Sequence, residues 1–431
     1  MSVILALELE LKKSYHSYLL KLTGSTTTSD EGAVYDRFSE SRKRIIFAVV
    51  LWTSFLPSGA FASGFLNIAK DLKVDVTILN YILSSYIFFK AVAGLFWGIY
   101  ATFYGRRFVY LLSLPLICAG SLGAALSVSA GQLAFSRILQ AIGISSISST
   151  GIAVISDIYR RENRGTAVGF LNGNPIPVIA PFLSGIITSY ISWRAMHIVL
   201  VFMSSLSVIF TFLYLPETSH PGAMGAYNIL TPGSKPEYKL LNPIKSLKLF
   251  KIPGILFWRC GIPWQSHSYG VESPILVGLC FFPADIGYVF GAAISGYLSD
   301  KSIIKSQKRQ GGKWIPEDRL YQAFLSSLIL VPPSVFLAGL TLEYVPGRLG
   351  LGINLTCLFV NGFGIGVIQS PAYAYILDIL RERSAETKAI NGAMENLFAS
   401  IVSATILPSI NTIGVGWSFA FIAGVGWIGS L

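Results

Sequence analysis

An ionisable side chain inside an apolar stretch is costly to keep in lipid, so it is a candidate for binding a solute or carrying a proton. Four such residues stand out in this chain: Lys90, Arg137, Asp285 and Glu395. Arg137, Gln140, Ile144 and Ser148 fall at i, i+3, i+7 and i+11, one face of a helix, which suits a polar stripe beside a cavity. Gln369 and Tyr373 are four apart and share a face, with Asn361 further back in the same run. Asn172 and Asn174 sit among Pro175, Pro177 and Pro181, where a helix would kink and free its carbonyls. Asp157 with Arg160, Arg161 and Arg164, and Asp300 with Lys301, lie at the ends of apolar runs, where ion pairs could latch one conformation. Each group has a plain structural alternative: a snorkelling or paired arginine, an amide bonded between helices, a kink without motion, or an exposed pair worth less than about 1 kcal/mol.

Enzyme chemistry has no such foothold. There is no Walker loop, no G-x-S-x-G, no H-E-x-x-H and no strand-turn-helix context for a dinucleotide. Cys118, Cys260, Cys280 and Cys357 are scattered, and His16, His197, His220 and His267 do not cluster, so neither metal nor cofactor is expected. Without an ATP site, any work done by this chain would draw on gradients.

The elements that would hold these residues are membrane spans. Of 431 residues, 52% are hydrophobic and 13% charged, where soluble chains carry about 25% charged. The mean hydropathy is +0.59. Apolar runs of span length lie near 45–67, 78–101, 106–128, 132–156, 166–190 and 194–215, then near 275–299, 321–342, 347–376 and 389–411, with a last piece at 415–431. The slot at 254–272 should hold a seventh span, but Arg259, Pro263, Gln265, His267 and Glu272 interrupt it. It reads as a broken helix along a wet cavity or as a defect in the gene model; the last span is short. The net charge of +11 comes in short clusters between uncharged runs, which points to loops and not to nucleic acid. With the N-terminus placed in the cytoplasm, 26 of the 33 basic residues fall in the tail and in the loops after spans 2, 4, 6, 8 and 10. The expected organisation is a cytoplasmic tail at 1–44, a six-helix bundle at 45–216, a central cytoplasmic loop at 217–253 and a second bundle at 254–431.

The two halves echo each other. Ala141–Arg160 and Gly362–Arg381 match at nine of twenty positions without gaps, including Gly143/Gly364, Asp157/Asp378 and Arg160/Arg381. Gly98-x-x-x-Thr102 likewise echoes Gly296-x-x-x-Asp300. Repeated halves with a midplane site between them are a common transporter architecture.

Several segments together resemble a known family: RFSESRKRIIF, SRILQAIG, VISDIYRRENRG, LPET, PEDRL and LDILRERSAE. They are similar to the fungal drug:proton antiporters, twelve-spanning members of the major facilitator superfamily, and among these to the quinidine-resistance-like branch. The resemblance runs from about Tyr35 to the C-terminus. It implies an all-α polytopic fold of two pseudo-symmetric six-helix bundles. It also implies that Arg137, with Gln140 and Gly143, forms the arginine motif tied to proton coupling. The family's G-x-x-S-D-x-x-G-R-R motif falls on Gly98 to Arg107, with Thr102 where the aspartate belongs, while the second half keeps Asp300. In the span-5 antiporter motif, Asn174-Pro175, Ala180-Pro181 and Ser184-Gly185 stand where Gly-Pro and Gly-Gly are usual.

The resulting expectation is a monomeric, gradient-driven and proton-coupled exporter of small organic compounds, more at home in the plasma membrane than the vacuolar one. Arg137, Asp285 and Glu395 would couple protons. Gln140, Ser148, Asn172, Asn174, Asn361, Gln369 and Tyr373 would line the substrate cavity. Gly98, Arg106, Arg107, Asp157, Arg164 and Asp300 would gate it. Two alternatives stand beside this: a nutrient facilitator or symporter, and a membrane sensor or inactive paralogue that binds without transporting.

Overall fold

A computed structural model describes residues 35, 37–56, 65–174, 176–219, 269, 273–309, 323, 326, 328–379 and 384–430. The chain divides into Met1–Phe38 and Ser39–Leu431, and the second unit holds all of the described helices. These thirteen are α1 (Glu40–Thr53), α2 (Phe65–Leu72), α3 (Val76–Tyr104), α4 (Arg106–Ala125), α5 (Ala130–Ile158), α6 (Arg161–Asn172), α7 (Ile176–Tyr190), α8 (Trp193–Tyr214), α9 (Pro274–Arg309), α10 (Val331–Tyr344), α11 (Gly347–Ile379), α12 (Ser384–Ile413) and α13 (Val415–Ser430). No strand occurs among the described residues.

Local chemistry sets the helix ends. Ser39, Asp75, Ser129 and Ser192 are extended N-caps whose side-chain oxygens accept backbone N–H groups of α1, α3, α5 and α8, satisfying donors the helix cannot. Gly105, at φ +100°, ends α3 and starts α4, a conformation closed to most other residues.

Six of the helices are long and apolar enough to cross a membrane: α3, α4, α5, α8, and the greater parts of α9 and α11. Two further expected spans are interrupted. The first divides into α1 and α2, with 57–64 outside the described residues. The fifth divides into α6, which ends at Asn172 with Gly173 as its C-cap, and α7, which starts at Ile176. The seventh-span slot apart from Tyr269 and most of the 217–253 loop lie outside the described residues, as does much of 321–330.

The distribution of side chains is that of a protein dissolved in lipid. Phe135, Phe202, Phe290 and Phe421 face outward, while Ser113, Ser121, Ser146, Ser204 and Ser207 are buried between helices. Hydroxyls and small residues are what hold helices together where lipid removes the hydrophobic drive. The helices sort into two sets, α1–α8 and α9–α13, which meet along α3 against α12 and along α6 and α7 against α9. Along the second seam, Gly169 and Gly173 lie against the backbone of α9, and Gly278 lies against Pro181 and Phe182, so no Cβ holds the helices apart.

Candidate functional site

Between the two sets lies a cavity of 310 Å³. Its polar wall begins with the close approach of α9 to α11. Gly287 and Gly291 of α9 press on the α11 backbone at Phe359 and Phe363, and Gly362 of α11 presses back on Ala284. This brings Tyr288 onto Gln369. The Tyr288 hydroxyl donates to Gln369 Oε1, and Gln369 Nε2 donates to the Tyr373 hydroxyl at 2.6 Å. Tyr373 in turn donates to Glu395 of α12, 3.1 and 3.2 Å from its two oxygens. Asn391, one turn before Glu395, adds a donor at 2.9 Å. Three helices are thus joined by a chain of hydrogen bonds whose donors all point toward one carboxylate. Lys90, Asp285 and Lys388 line the same space, and Val50, Ile144 and Ile365 supply apolar wall.

The residues expected to line the cavity divide. Ser148, Asn172, Asn174, Asn361, Gln369 and Tyr373 do so. Asn174 also donates to Leu51 O and Ser54 Oγ at 3.1 Å, tying the α6–α7 break to α1. Asn361 donates to Ser334 Oγ at 3.1 Å, so its amide also holds α11 to α10. Gln140 is not among the lining residues. It sits behind the wall, where Arg137 donates to it at 2.5 Å and it donates to Ser121 Oγ at 2.8 Å. The Arg137 guanidinium stacks 4.2 Å from the Tyr86 ring centroid. The stripe read from the sequence therefore splits along α5: its first two members face α3 and α4, and only Ile144 and Ser148 reach the cavity. Gly120 explains the packing, because a Cβ there would stand 2.5 Å from the Gln140 backbone nitrogen.

The expected gating residues gather at one end of the bundle. Arg106 Nε pairs with Asp157 at 3.1 Å, both side chains almost fully buried, and Arg106 Nη1 donates to Ala101 O at 2.6 Å. Arg164 pairs with Asp378 at 2.9 Å, and both side chains are fully enclosed. That pair crosses from α6 to α11, from one helix set to the other. Asp300, in the later part of α9, accepts from the backbone of Gly165 and Thr166 at 3.0 and 2.7 Å and from the Thr166 hydroxyl at 2.7 Å, joining α9 to the second turn of α6. Arg107 donates to Phe212 O at 2.9 Å. Gly98 packs directly on Ala385, Glu386 and Ala389 of α12. Thr102 donates to Gly98 O, its own helix, at 3.1 Å.

Sequence reasoning misses four participants. Glu217 accepts from the Arg106 and Arg107 amides at 3.0 and 3.1 Å, so the glutamate of the LPET segment caps α4 across more than a hundred residues. Asp378 is visible in the repeat as the counterpart of Asp157, but nothing in the sequence gives it a role of its own. Tyr288 carries no signal. Lys388 falls among the loop charges after span 10, yet it is 4% exposed and lies inside α12; its spacing of three and seven from Asn391 and Glu395 is the available clue.

Away from the membrane interior, Asp71 closes the opposite end. The Trp193 indole donates to it at 3.0 Å and Arg194 pairs with it. The Trp193 hydrogen bond first, then Arg194, hold its carboxyl below the ordinary aspartate range.

A helical membrane protein with repeated halves, a polar cavity between them and a buried charge pair that bridges them at one end is a solute transporter by architecture. The family model of the Major Facilitator Superfamily matches residues 47–404, and the chain belongs to that superfamily. It is similar to the MFS antiporter QDR3 of Candida albicans, 21% identical over 85% of this chain and 73% of that one. It is similar also to citrate exporter 1 of Aspergillus niger, 24% identical over 92% of this chain and 86% of that one. Among solved structures, the proton:xylose symporter XylE shares the fold at TM-score 0.68 and 13% identity, covering 91% of this chain and 95% of that one. The chain is therefore a multi-pass membrane transporter of small molecules and not an enzyme.

Proposed function

We propose that this protein exports small organic compounds by proton-coupled alternating access, with the cavity exposed first to one face of the membrane and then to the other. The observation that carries the reading is the carboxylate of Glu395 at the end of the Tyr288–Gln369–Tyr373 chain, inside the cavity between the two helix sets. A proton on Glu395 cancels the charge toward which that chain of donors points, and so alters the bonding of three helices at once. Asp285 is the second carboxylate able to take a proton there. Arg137 acts from behind the wall, through Gln140 and Tyr86, by holding α5 against α3 and α4.

The arrangement of basic loops supports a cytoplasmic N-terminus, which puts the Arg164–Asp378 and Asp300 contacts at the cytoplasmic gate. We place the protein in the plasma membrane as a monomer, with bundles at 45–216 and 254–431 around a cytoplasmic 217–253 loop. Relatives named as an antiporter and an exporter support the outward direction.

Reconstitution into proteoliposomes with an imposed pH gradient tests this. Flux of a fluorescent organic substrate should follow the gradient and lose that dependence in Glu395→Gln. Flux that ignores both the gradient and Glu395→Gln would remove the proton from the mechanism. A second reading, a facilitator or symporter, is favoured by the Asn-Pro and Ala-Pro pairs of the fifth span. Net flux toward the side of Asp300 under the same gradient would select it.

A further inference from the structure

Helix α9 is longer than its crossing requires. It holds 36 residues, where about 20 span the hydrocarbon of a bilayer. Beyond Asp300 it continues from Lys301 to Arg309, a stretch with four cations and no acid. Those cations extend a stripe that begins inside the membrane. Phe290, Ile294, Tyr297, Lys301, Lys305 and Lys308 recur at steps of three or four, which stacks them on one face of the helix. All six are exposed, while Ile303, on the opposite face, is buried at 5%. The face that meets lipid tails at Phe290 and Ile294 is therefore the face that turns cationic at Lys301. Tyr297 stands at the change, and the Lys301 ammonium lies 4.5 Å from its ring centroid, so the lysine is held along the stripe. Keeping positive charge on one side of a membrane needs cations in a loop; it does not need them in line with the lipid-facing surface. The counterpart helix α3 has no such stripe. It stops at Tyr104, and the guanidinium groups of Arg106 and Arg107 donate to Asp157, Ala101 O and Phe212 O.

We propose that this stripe binds an anionic phospholipid, its headgroup on Lys301 and Lys305 and its acyl chains along Ile294 and Phe290. In the orientation proposed above, this end meets the cytoplasmic leaflet, whose negative lipids attract juxtamembrane cations by about fivefold in affinity per residue. Only the choice of leaflet depends on that orientation. Lys308 and Arg309 lie about 10–12 Å further along the helix than Lys301. That exceeds the screening length of about 8 Å at physiological salt, so they contribute less. A lipid held here sits on the helix that carries both Tyr288 of the cavity and the Asp300 contact to α6.

Native mass spectrometry of the full chain in neutral detergent, offered phosphatidylserine and phosphatidylcholine at equal concentration, tests the proposal. The serine lipid should be retained at least about fivefold over the choline lipid. Lys301→Gln with Lys305→Gln should bring that ratio close to one, and Lys301→Arg with Lys305→Arg should keep it. Lys308→Gln should lower it by less than about twofold. Lys70→Gln with Lys73→Gln removes as much charge at the end of the molecule near Asp71 and should leave the ratio intact. Glycerophosphoserine, the same headgroup without acyl chains, should not displace the lipid at equal concentration. Equal retention of the two lipids overturns the proposal, as does a preference that survives the Lys301 and Lys305 glutamines. A fall as large in the Lys70 and Lys73 variant would reduce it to net charge and overturn it too. Displacement by glycerophosphoserine would replace the lipid site with one for a soluble phosphate ester. Proton-coupled export stands or falls separately, on flux and Glu395→Gln.

Discussion

Two junctions at the same end of the molecule are built on the same plan and finished differently. At one, Gly98 and Thr102 of α3 meet the start of α12; at the other, Gly296 and Asp300 of α9 meet the start of α6. Both glycines are there for clearance. A Cβ on Gly98 would collide with Ala389, and one on Gly296 would stand 2.6 Å from Gly165 O. One turn on, the junctions part company. Asp300 reaches across and takes two amides and a hydroxyl from α6, whereas Thr102 turns its hydroxyl back onto its own helix. At the first junction the carboxylate comes from the other partner, as Glu386, buried in the opening turn of α12. The contrast shows that close approach and charged contact are separate devices. At the first junction the glycine gives the close approach without an aspartate one turn on, and Asn80 and Ser84 bond Ser403 and Ser400 further along the same two helices.

If so, the charged contacts at this end should dominate its energetics, and the buried pair that ties α6 to α11 should dominate them all. Asp378→Asn leaves Arg164 charged and enclosed without its carboxylate, a change that costs about 3–5 kcal/mol when a buried pair is broken. The apparent melting midpoint of the detergent-purified protein should fall sharply, and cysteines placed at this end should become open to labelling. The double variant Arg164→Leu with Asp378→Leu should recover much of the loss, since removing both charges removes the desolvation problem. A double variant as unstable as the single would show that the pair is needed for more than charge balance.

The Asp300 junction should come next. Asp300→Asn keeps one acceptor and loses the charge facing the α6 amides, so about 1–2 kcal/mol should go. The same readouts apply, and labelling should rise at residues near Gly165 and not near Gly98. Equal opening at both junctions would erase the distinction drawn between them.

Much of this architecture is legible in the sequence, for reasons that can be given residue by residue. Lipid demands long apolar runs, so α3, α4, α5, α8, α9 and α11 stand where hydropathy places them. The repeat anticipates that Asp157 and Asp378 are equivalent, and each accepts a buried arginine. What a linear pattern cannot supply is direction. The face from Arg137 to Ser148 is continuous in sequence, but α4 packs against one end of it and the cavity opens at the other. Lys388 looks like a loop charge because Glu386 and the basic residues before it are polar, and only the packing of α3 on α12 encloses it. The carboxylate cap from Glu217 joins residues so distant in the chain that local spacing carries no trace of it.

The first junction offers a gain in place of a loss. Thr102→Asp restores the carboxylate that the family pattern places there, near the amide end of α12, where a negative charge is worth about 0.3–1 kcal/mol. Glu386 already occupies that first turn, and a second carboxylate beside it is repelled. Thr102→Asp alone should therefore leave the melting midpoint nearly unchanged, while Thr102→Asp in a Glu386→Gln background should raise it relative to Glu386→Gln. Additive effects in that cycle would mean that the two carboxylates do not share the junction.

The smallest effect is expected at the opposite end, where Asp71 provides a measure of what an exposed contact is worth. Its pair with Arg194 is partly solvated, at 45% and 34% side-chain exposure. Solvent screening holds such pairs to below about 1 kcal/mol. Because the folded carboxyl lies below its unfolded value, its contribution is present above the unfolded pKa and is lost as pH falls through the folded one. Asp71→Asn should then lower the midpoint by no more than about 1 °C at neutral pH. The difference from wild type should shrink as pH falls through the folded value and the native carboxyl is protonated too. A loss approaching that of Asp378→Asn would mean that burial is not what separates the two ends.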